Sequence, residues 1–401
     1  MAFQQGLSGL NVSSKAIEAT SNNIANAATV GFKAAQSHFS DVFAASLTGA
    51  TANQVGIGSS LTNIFQLFTQ GNVTATNNPL DLAINGQGFF QLDSNGAATY
   101  ARNGQFHVDK DGFIVNDQGL KLNGFPTNAL GVIVPSTPAP IQISASDLAP
   151  NVTTAVTANL NLDARAAVLP AVPAFDPNDP TTFTSSTALT VYDSLGNPHT
   201  YTMFFRKTAA NTWDLFTNLD GGTPTAATPL VFGTTGALTT TVTKTENFAV
   251  AGANALTFDT TFPGTTQFGN SFSVNSLAQD GFTTGRLAGL AVGQDGTIQG
   301  RYTNGQSRSL GQIVLANFTN PNGLSTLGNN QWAETSDSGP ALIGEPGSGR
   351  LGVVQAAAVE ESNVDLTAEL VNLITQQRNY QANAQSIRTQ DQILNTLVNL
   401  R

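Results

Sequence analysis

The sequence predicts a mainly β protein with paired terminal α-helices: nested antiparallel β barrel or sandwich domains, closed by an N/C-terminal helical coiled coil. Three observations predict it. Apolar and small residues recur at alternating spacings of four and three at both ends of the chain. Between the ends, Asn-Gly and Asp-Gly pairs punctuate short runs of strand-forming residues. A Pro-rich stretch at 170–180 separates two such sets of runs.

At the N-terminus the periodic positions are Phe3, Leu7, Leu10, Ser14, Ile17, Ser21, Ile24 and Ala28. That spacing is a heptad seam, and Gly31 stands where such a helix stops. Its intrinsic propensity is poor: Gly6, Gly9 and several Asn and Thr residues oppose a helix, at up to ~1 kcal/mol for each Gly. Covering the apolar seam with a partner offsets that cost.

The C-terminal seam is stronger. It reads Leu366, Leu370, Leu373, Gln377, Tyr380, Ala384, Ile387, Asp391, Leu394, Val398 and Arg401, widened by Ile374, Ile393, Leu397 and Leu400. Asn363 or Asp365 can cap its start, and at 1.5 Å per residue the helix is roughly 50 Å long. A 3.5-residue period favours helix-on-helix pairing. The expected self-assembly residues are therefore Phe3, Leu7, Leu10, Ile17, Ile24, Leu366, Leu370, Leu373, Tyr380, Ile387, Leu394 and Val398.

The centre reads as hairpins. Turn signals stand at Asn95-Gly96, Asp111-Gly112, Asn123-Gly124, Asp220-Gly221, Asp295-Gly296 and Asn304-Gly305, with strand runs at 89–92, 106–108, 113–115, 298–302 and 313–318. The expected organisation is nested: terminal helices 1–30 and 364–401, partly ordered linkers 31–70 and 356–363, a first β domain from 71–145 and 285–355, and an inserted outer β domain at 146–284.

Composition narrows the function. Charged residues are 10% of the 401, against about 25% in an average soluble protein, and the net charge is −10. No basic run exists to displace counterions from a phosphate backbone, so no nucleic acid is expected. No run of 18 apolar residues is present, so no membrane insertion is expected. The N-terminus shows no basic start and no apolar h-region, so no cleaved signal peptide is expected. The absence of Cys removes disulfides, thiolate catalysis and most structural zinc sites.

No chemistry emerges from the motifs. His38, His107 and His199 are not at ligand spacing, and His107 reads as a half-buried strand residue. Asp109-Lys110-Asp111-Gly112 brings its Gly too early for a calcium loop and reads as a β-turn. Gly86-Gln87-Gly88 fails as a dinucleotide fingerprint. Glu360-Glu361 reads as an exposed turn. No catalytic residue, cofactor or metal is expected, and the protein is not expected to be an enzyme.

Three stretches carry a resemblance: SNNIANAATVGFKAAQSHFSDVF (21–43); PLDLAINGQGFFQL (79–92) with ARNGQFHVDKDGFIVNDQGLKLNG (101–124); and the C-terminal 349–400. In this order they resemble the bacterial flagellar rod and hook axial proteins. The insert, with VYDSLGNPHTYTMFFRK (191–207), is similar to the domain inserted in the hook member of that family. The resemblance implies a structural subunit of an extracellular flagellar hook, exported without a cleaved signal peptide and self-assembling into a flexible hollow tube that transmits torque for motility. It implies as partners other copies of the chain, the distal rod protein, the hook cap protein, the hook-filament junction protein and the flagellar type III export apparatus. An unusually long distal rod protein, or a secreted β-rich adhesin or hydrolase, are the alternatives.

Overall fold

Turn chemistry sets much of the architecture. A computed structural model describes residues 2–42, 56–128, 131–144 and 146–399. Among these, α1 (Ala2–Ala25) and α2 (Leu366–Asn399) stand at the ends, and the regular structure between them is almost all β. The fold is mainly β with antiparallel sheets and terminal helices. The chain divides into two compact units, one of Met1–Ala145, Gly289–Arg301 and Ser307–Arg401, the other of Ser146–Ala288 and Tyr302–Gln306.

In the first unit, Phe89–Ser94 and Ala97–Ala101 form a hairpin. Asn95 and Gly96 turn it with φ of 53° and 94°, the left-handed pair whose twist matches the flanking strands. Lys121–Pro126 then pairs with Ser307–Ile313, joining sequence from both sides of the insert. Asn123-Gly124, expected as a turn, lies inside that strand. A Cβ at Gly124 would sit 2.3 Å from the Gln312 carbonyl oxygen, so this glycine permits close strand approach. Phe89, Tyr100, Phe318 and Trp332 form the aromatic core here, with Phe68 edge-on to Phe89 and Trp332.

Residues 31–70, expected as a partly ordered linker, include an antiparallel pair of strands, Ala35–Val42 with Gly58–Gln66. Phe43 and the rest of 43–55 lie outside the described residues. Two further short pairings tie the end of the β region to its beginning: Val353–Ala356 with Leu82–Asn85, and Ala358–Glu360 with Val73–Ala75.

The second unit has two sheets. Ser185–Tyr192, Pro198–Ala209, Thr212–Leu219 and Thr228–Val231 form an antiparallel meander. In the other sheet Ala155–Asp163 pairs antiparallel with Ser273–Gln279, but parallel with Leu256–Thr261 and Thr266–Phe268. Alternate residues meet between the sheets: Tyr201, Met203 and Phe205 from one side, Val156, Leu160 and Phe258 from the other, with Trp213 and Leu215, all buried. Glu246 is buried there too, accepting hydrogen bonds from the Tyr201 hydroxyl (2.9 Å) and the Thr217 hydroxyl (2.7 Å).

Candidate assembly site

α1 has little propensity of its own, so its contacts explain it. It packs against α2 and against the strand pair at 35–66. The buried face is small and polar: Gly6, Ser13, Ala16, Ala19, Thr20 and Asn23. A Cβ at Gly6 would lie 2.9 Å from Ile387, and one at Gly9 2.8 Å from the Asn383 amide. The two glycines that weaken α1 as an isolated helix are thus what let α2 approach it.

Asn23 then fixes the helix end. Its Oδ1 accepts from the Ala35 N–H at 2.8 Å and its Nδ2 donates to the Ala35 carbonyl at 2.9 Å, satisfying the backbone of one strand residue. At the start of α2, Asp365 Oδ1 accepts from the N–H groups of Thr367 (2.9 Å) and Ala368 (3.1 Å). Asp365 is therefore the cap. Asn363, the other candidate, instead accepts from the Ala34 N–H at 2.7 Å and donates to the Leu67 carbonyl at 2.7 Å.

The expected seam residues fall on two kinds of surface. Phe3, Leu7, Leu366, Leu370, Tyr380 and Leu394 are exposed. Leu10, Ile17, Ile24, Leu373 and Ile387 are half-buried. Val398 belongs to α2, but its side chain, like Arg401, lies outside the described residues. α2 comes closest to α1 at Gly6 and Gly9, beside the seam, and much of the apolar seam is left uncovered. Ile374, Ile393 and also Val371, which the seam pattern passed over, are each more than half exposed. Covering the exposed half of one such side chain stabilises by roughly 1 kcal/mol.

The linkage from the helices to the β region holds a buried ionic cluster. Glu360, expected on an exposed turn, ends the fully buried strand Ala358–Glu360 and is 1% exposed. Its Oε1 accepts from Lys33 Nζ and its Oε2 from Arg102 Nε, both at 2.7 Å. Burial pushes its pKa up, but Arg102 and Lys33 outweigh burial and hold it below the usual carboxylate range. Burial drives the Lys33 ammonium down, opposed by Glu360.

His107 and His199 each lie beside carboxylates. His107, expected half-buried, projects outward with its side chain 56% exposed, 4.0 Å from Asp117. His199 bridges Asp220 (2.6 Å) and Asp193 (3.4 Å) between two turns. Hydrogen bonds from Asn197 and Leu195 overcome the opposing effect of burial and hold Asp193 at about 2. Among the described residues no group of three or more His, Asp or Glu side chains is placed to hold a metal. No helix among them is long and apolar enough to cross a membrane.

Comparison with known proteins bears on this arrangement directly. Residues 3–33 match the flagellar basal body rod protein family and 83–153 the flagellar hook protein FlgE/F/G D1 domain. Residues 161–282 match the flagellar basal body protein FlaE D2 domain and 355–400 the flagellar basal body rod FlgEFG C-terminal family. The flagellar hook protein FlgE of Salmonella typhimurium is 42% identical over 414 aligned residues, spanning 100% of both chains. The chain belongs to the flagellar hook protein FlgE family. FlgE of Escherichia coli is likewise 42% identical, across all of both chains, and FlgE of Borreliella burgdorferi is 33% identical, across all of this chain and 99% of that one. Among solved structures, Helicobacter pylori FlgE2 superposes with a TM-score of 0.53 at 14% identity, over 70% of this chain and 99% of that one. That likeness concerns the fold alone. Within a FlgE-family chain, α1 and α2 fall in the segments shared with rod proteins, and the sandwich-like unit falls in the D2 segment.

Proposed function

We propose that this chain is the building block of a flexible hollow tube, the hook, polymerising through α1 and α2 and passing motor torque to the filament. The observation that carries this reading is the helix pair itself: Gly6 and Gly9 let α2 approach α1, while Phe3, Leu7, Leu366, Leu370 and Ile374 stay exposed. A helical array in which each copy covers the next copy's Phe3, Leu7, Leu366, Leu370 and Ile374 repeats one heterologous contact without closing, and so grows as a tube. In this reading 1–30 and 364–401 form the inner core, 71–145 with 285–355 the first β domain and 146–284 the outer one. The chain acts mechanically, not as an enzyme. It is exported through the flagellar type III apparatus, assembles on the distal rod protein beneath the hook cap protein, and carries the hook-filament junction protein.

Ile374→Asp tests it. Ile374 is 51% exposed, so the change costs the single chain little, within about 0.5 kcal/mol. In an array it puts an unpaired carboxylate into every copy of the contact. Electron microscopy and sedimentation of concentrated protein should show curved tubes for the parent chain and folded monomers for the variant. Tubes from Ile374→Asp at the parent's critical concentration would refute the proposal.

A further inference from the structure

The Lys33–Glu360–Arg102 cluster is out of electrical balance. Two cations share one carboxylate, and the three side chains are 1%, 0% and 4% exposed. Arg102 cannot shed its proton, and its guanidinium also donates to the carbonyls of Gly86 and Gly88. The Lys33 ammonium has three donors. One goes to Glu360 and one to the Thr69 carbonyl, each at 2.7 Å. The third has no partner among the described residues. A net positive charge in so dry a place is expensive.

A cavity of about 280 Å³ opens onto these same two cations. Phe68, Phe89 and Phe318 line it, and a third cation, the exposed Arg350, stands at its edge. Two buried cations, three phenylalanines and an exposed guanidinium line one cavity, which suits a guest with one negative charge and an apolar body.

We infer that this cavity is a binding site for a monoanionic carboxylate, which balances Lys33 and Arg102 and packs its apolar part on the three phenylalanines. A doubly charged, strongly hydrated anion such as phosphate suits the cations but not the walls. The same chemistry has two sources: a free small carboxylate, or an Asp or Glu side chain of a neighbouring copy. With 26 acidic and 16 basic residues, the chain has carboxylates to spare.

The probe is 4-fluorobenzoate, followed by fluorine NMR against the full chain under monomeric conditions, with 4-fluorobenzyl alcohol as its uncharged counterpart. Saturable binding of the carboxylate, at least tenfold tighter than the alcohol, is expected. Lys33→Met leaves Glu360 and Arg102 balanced and should abolish it. Arg350→Gln lies outside the buried cluster, keeps the test alive should Lys33→Met not fold, and should weaken binding several-fold. In assembled tubes, continued binding assigns the site to free carboxylates. Loss of binding in tubes, with binding kept in the monomer, assigns it to an acidic side chain of the next copy. Absence of saturable binding in the monomer, equal binding of acid and alcohol, or unchanged affinity in Arg350→Gln would overturn the inference. None of the monomer readings depends on whether the chain forms hooks.

Discussion

Replacing Glu360 by Gln keeps the shape of the side chain and removes its charge. Glu360 Oε1 accepts from Lys33 Nζ at 2.7 Å and from the Gly71 N–H at 2.9 Å, and Oε2 accepts from Arg102 Nε at 2.7 Å. A glutamine keeps one acceptor and turns an NH2 group toward a donor. Breaking a buried ion pair by neutralising one partner costs about 3–5 kcal/mol, against a whole-domain stability of about 5–15 kcal/mol. The loss should be confined to the first unit, because the core of the second is built from other residues. The chain's two tryptophans make this measurable: Trp332 reports the first unit and Trp213 the second. In a Trp213→Phe background, the urea midpoint of Trp332 fluorescence should fall by roughly 1–2.5 M, for a slope of about 2–3 kcal/mol/M. In a Trp332→Phe background, Trp213 should unfold as before. The pH dependence has a definite sign. The pKa of Glu360 is held below its ordinary value, so its contribution is complete above the unfolded value of about 4.3 and is lost as pH falls through the lower folded value. The gap between parent and variant should close on the acid side. A loss under about 1 kcal/mol, equal losses in both units, or a gap unchanged in acid would refute the reasoning.

Phe205→Ala removes a fully buried side chain from between the sheets of the second unit and should cost that unit about 3–5 kcal/mol, read by Trp213 with Trp332 unchanged. Gly6→Ala and Gly9→Ala should differ in sign: both gain up to ~1 kcal/mol of helix propensity, but the new Cβ at 6 meets the stiff branched Ile387 while that at 9 meets an Asn383 amide free to swing aside. Circular dichroism melting of the helices should show Gly9→Ala stabilised and Gly6→Ala destabilised. His199 is opposed by burial, but Asp220 and Asp193 raise its pKa above the ordinary 6.5, so its stabilisation is complete below that value and lost as pH rises through the raised one. The second unit's thermal midpoint should therefore fall between pH 6 and pH 9 in the parent chain, and the fall should be smaller in His199→Gln.

Hairpin turns such as Asn95-Gly96 were legible because both residues must take positive φ, a demand few other pairs meet. Asn123-Gly124 carries the same letters for another reason, the close approach of Gln312, and only the three-dimensional neighbour distinguishes the two. The terminal helices were legible from their period. The side on which they dock was not, because α2 comes closest at Gly6 and Gly9, and hydrophobic periodicity weighs only large side chains. Glu360 was misread with its neighbour Glu361 as a pair. Glu360 ends the buried strand Ala358–Glu360, and Glu361, just past it, is exposed. The signal that could have found it was a lone Lys33 beside Phe32, Ala34 and Ala35 and a lone Arg102 after Tyr100 and Ala101, each needing a counter-charge in a chain so poor in ions. The parallel pairings of Ala155–Asp163 had no local signature, since their register is set between strands about a hundred residues apart.

The clasp at the root of the first unit also imposes a timetable. Lys33 waits for Glu360 across 327 positions, and Ala34 waits for Asn363 across 329. A chain made from its N-terminus has every residue of the second unit available before either partner exists. That unit can finish folding while the root is still open, and contacts so distant along the chain form slowly in any case. The last stretch to arrive, from Glu360 through α2, is also the stretch that docks α1. A chain interrupted anywhere before it would hold a completed second unit while the cluster stays open and α1 lacks its partner helix.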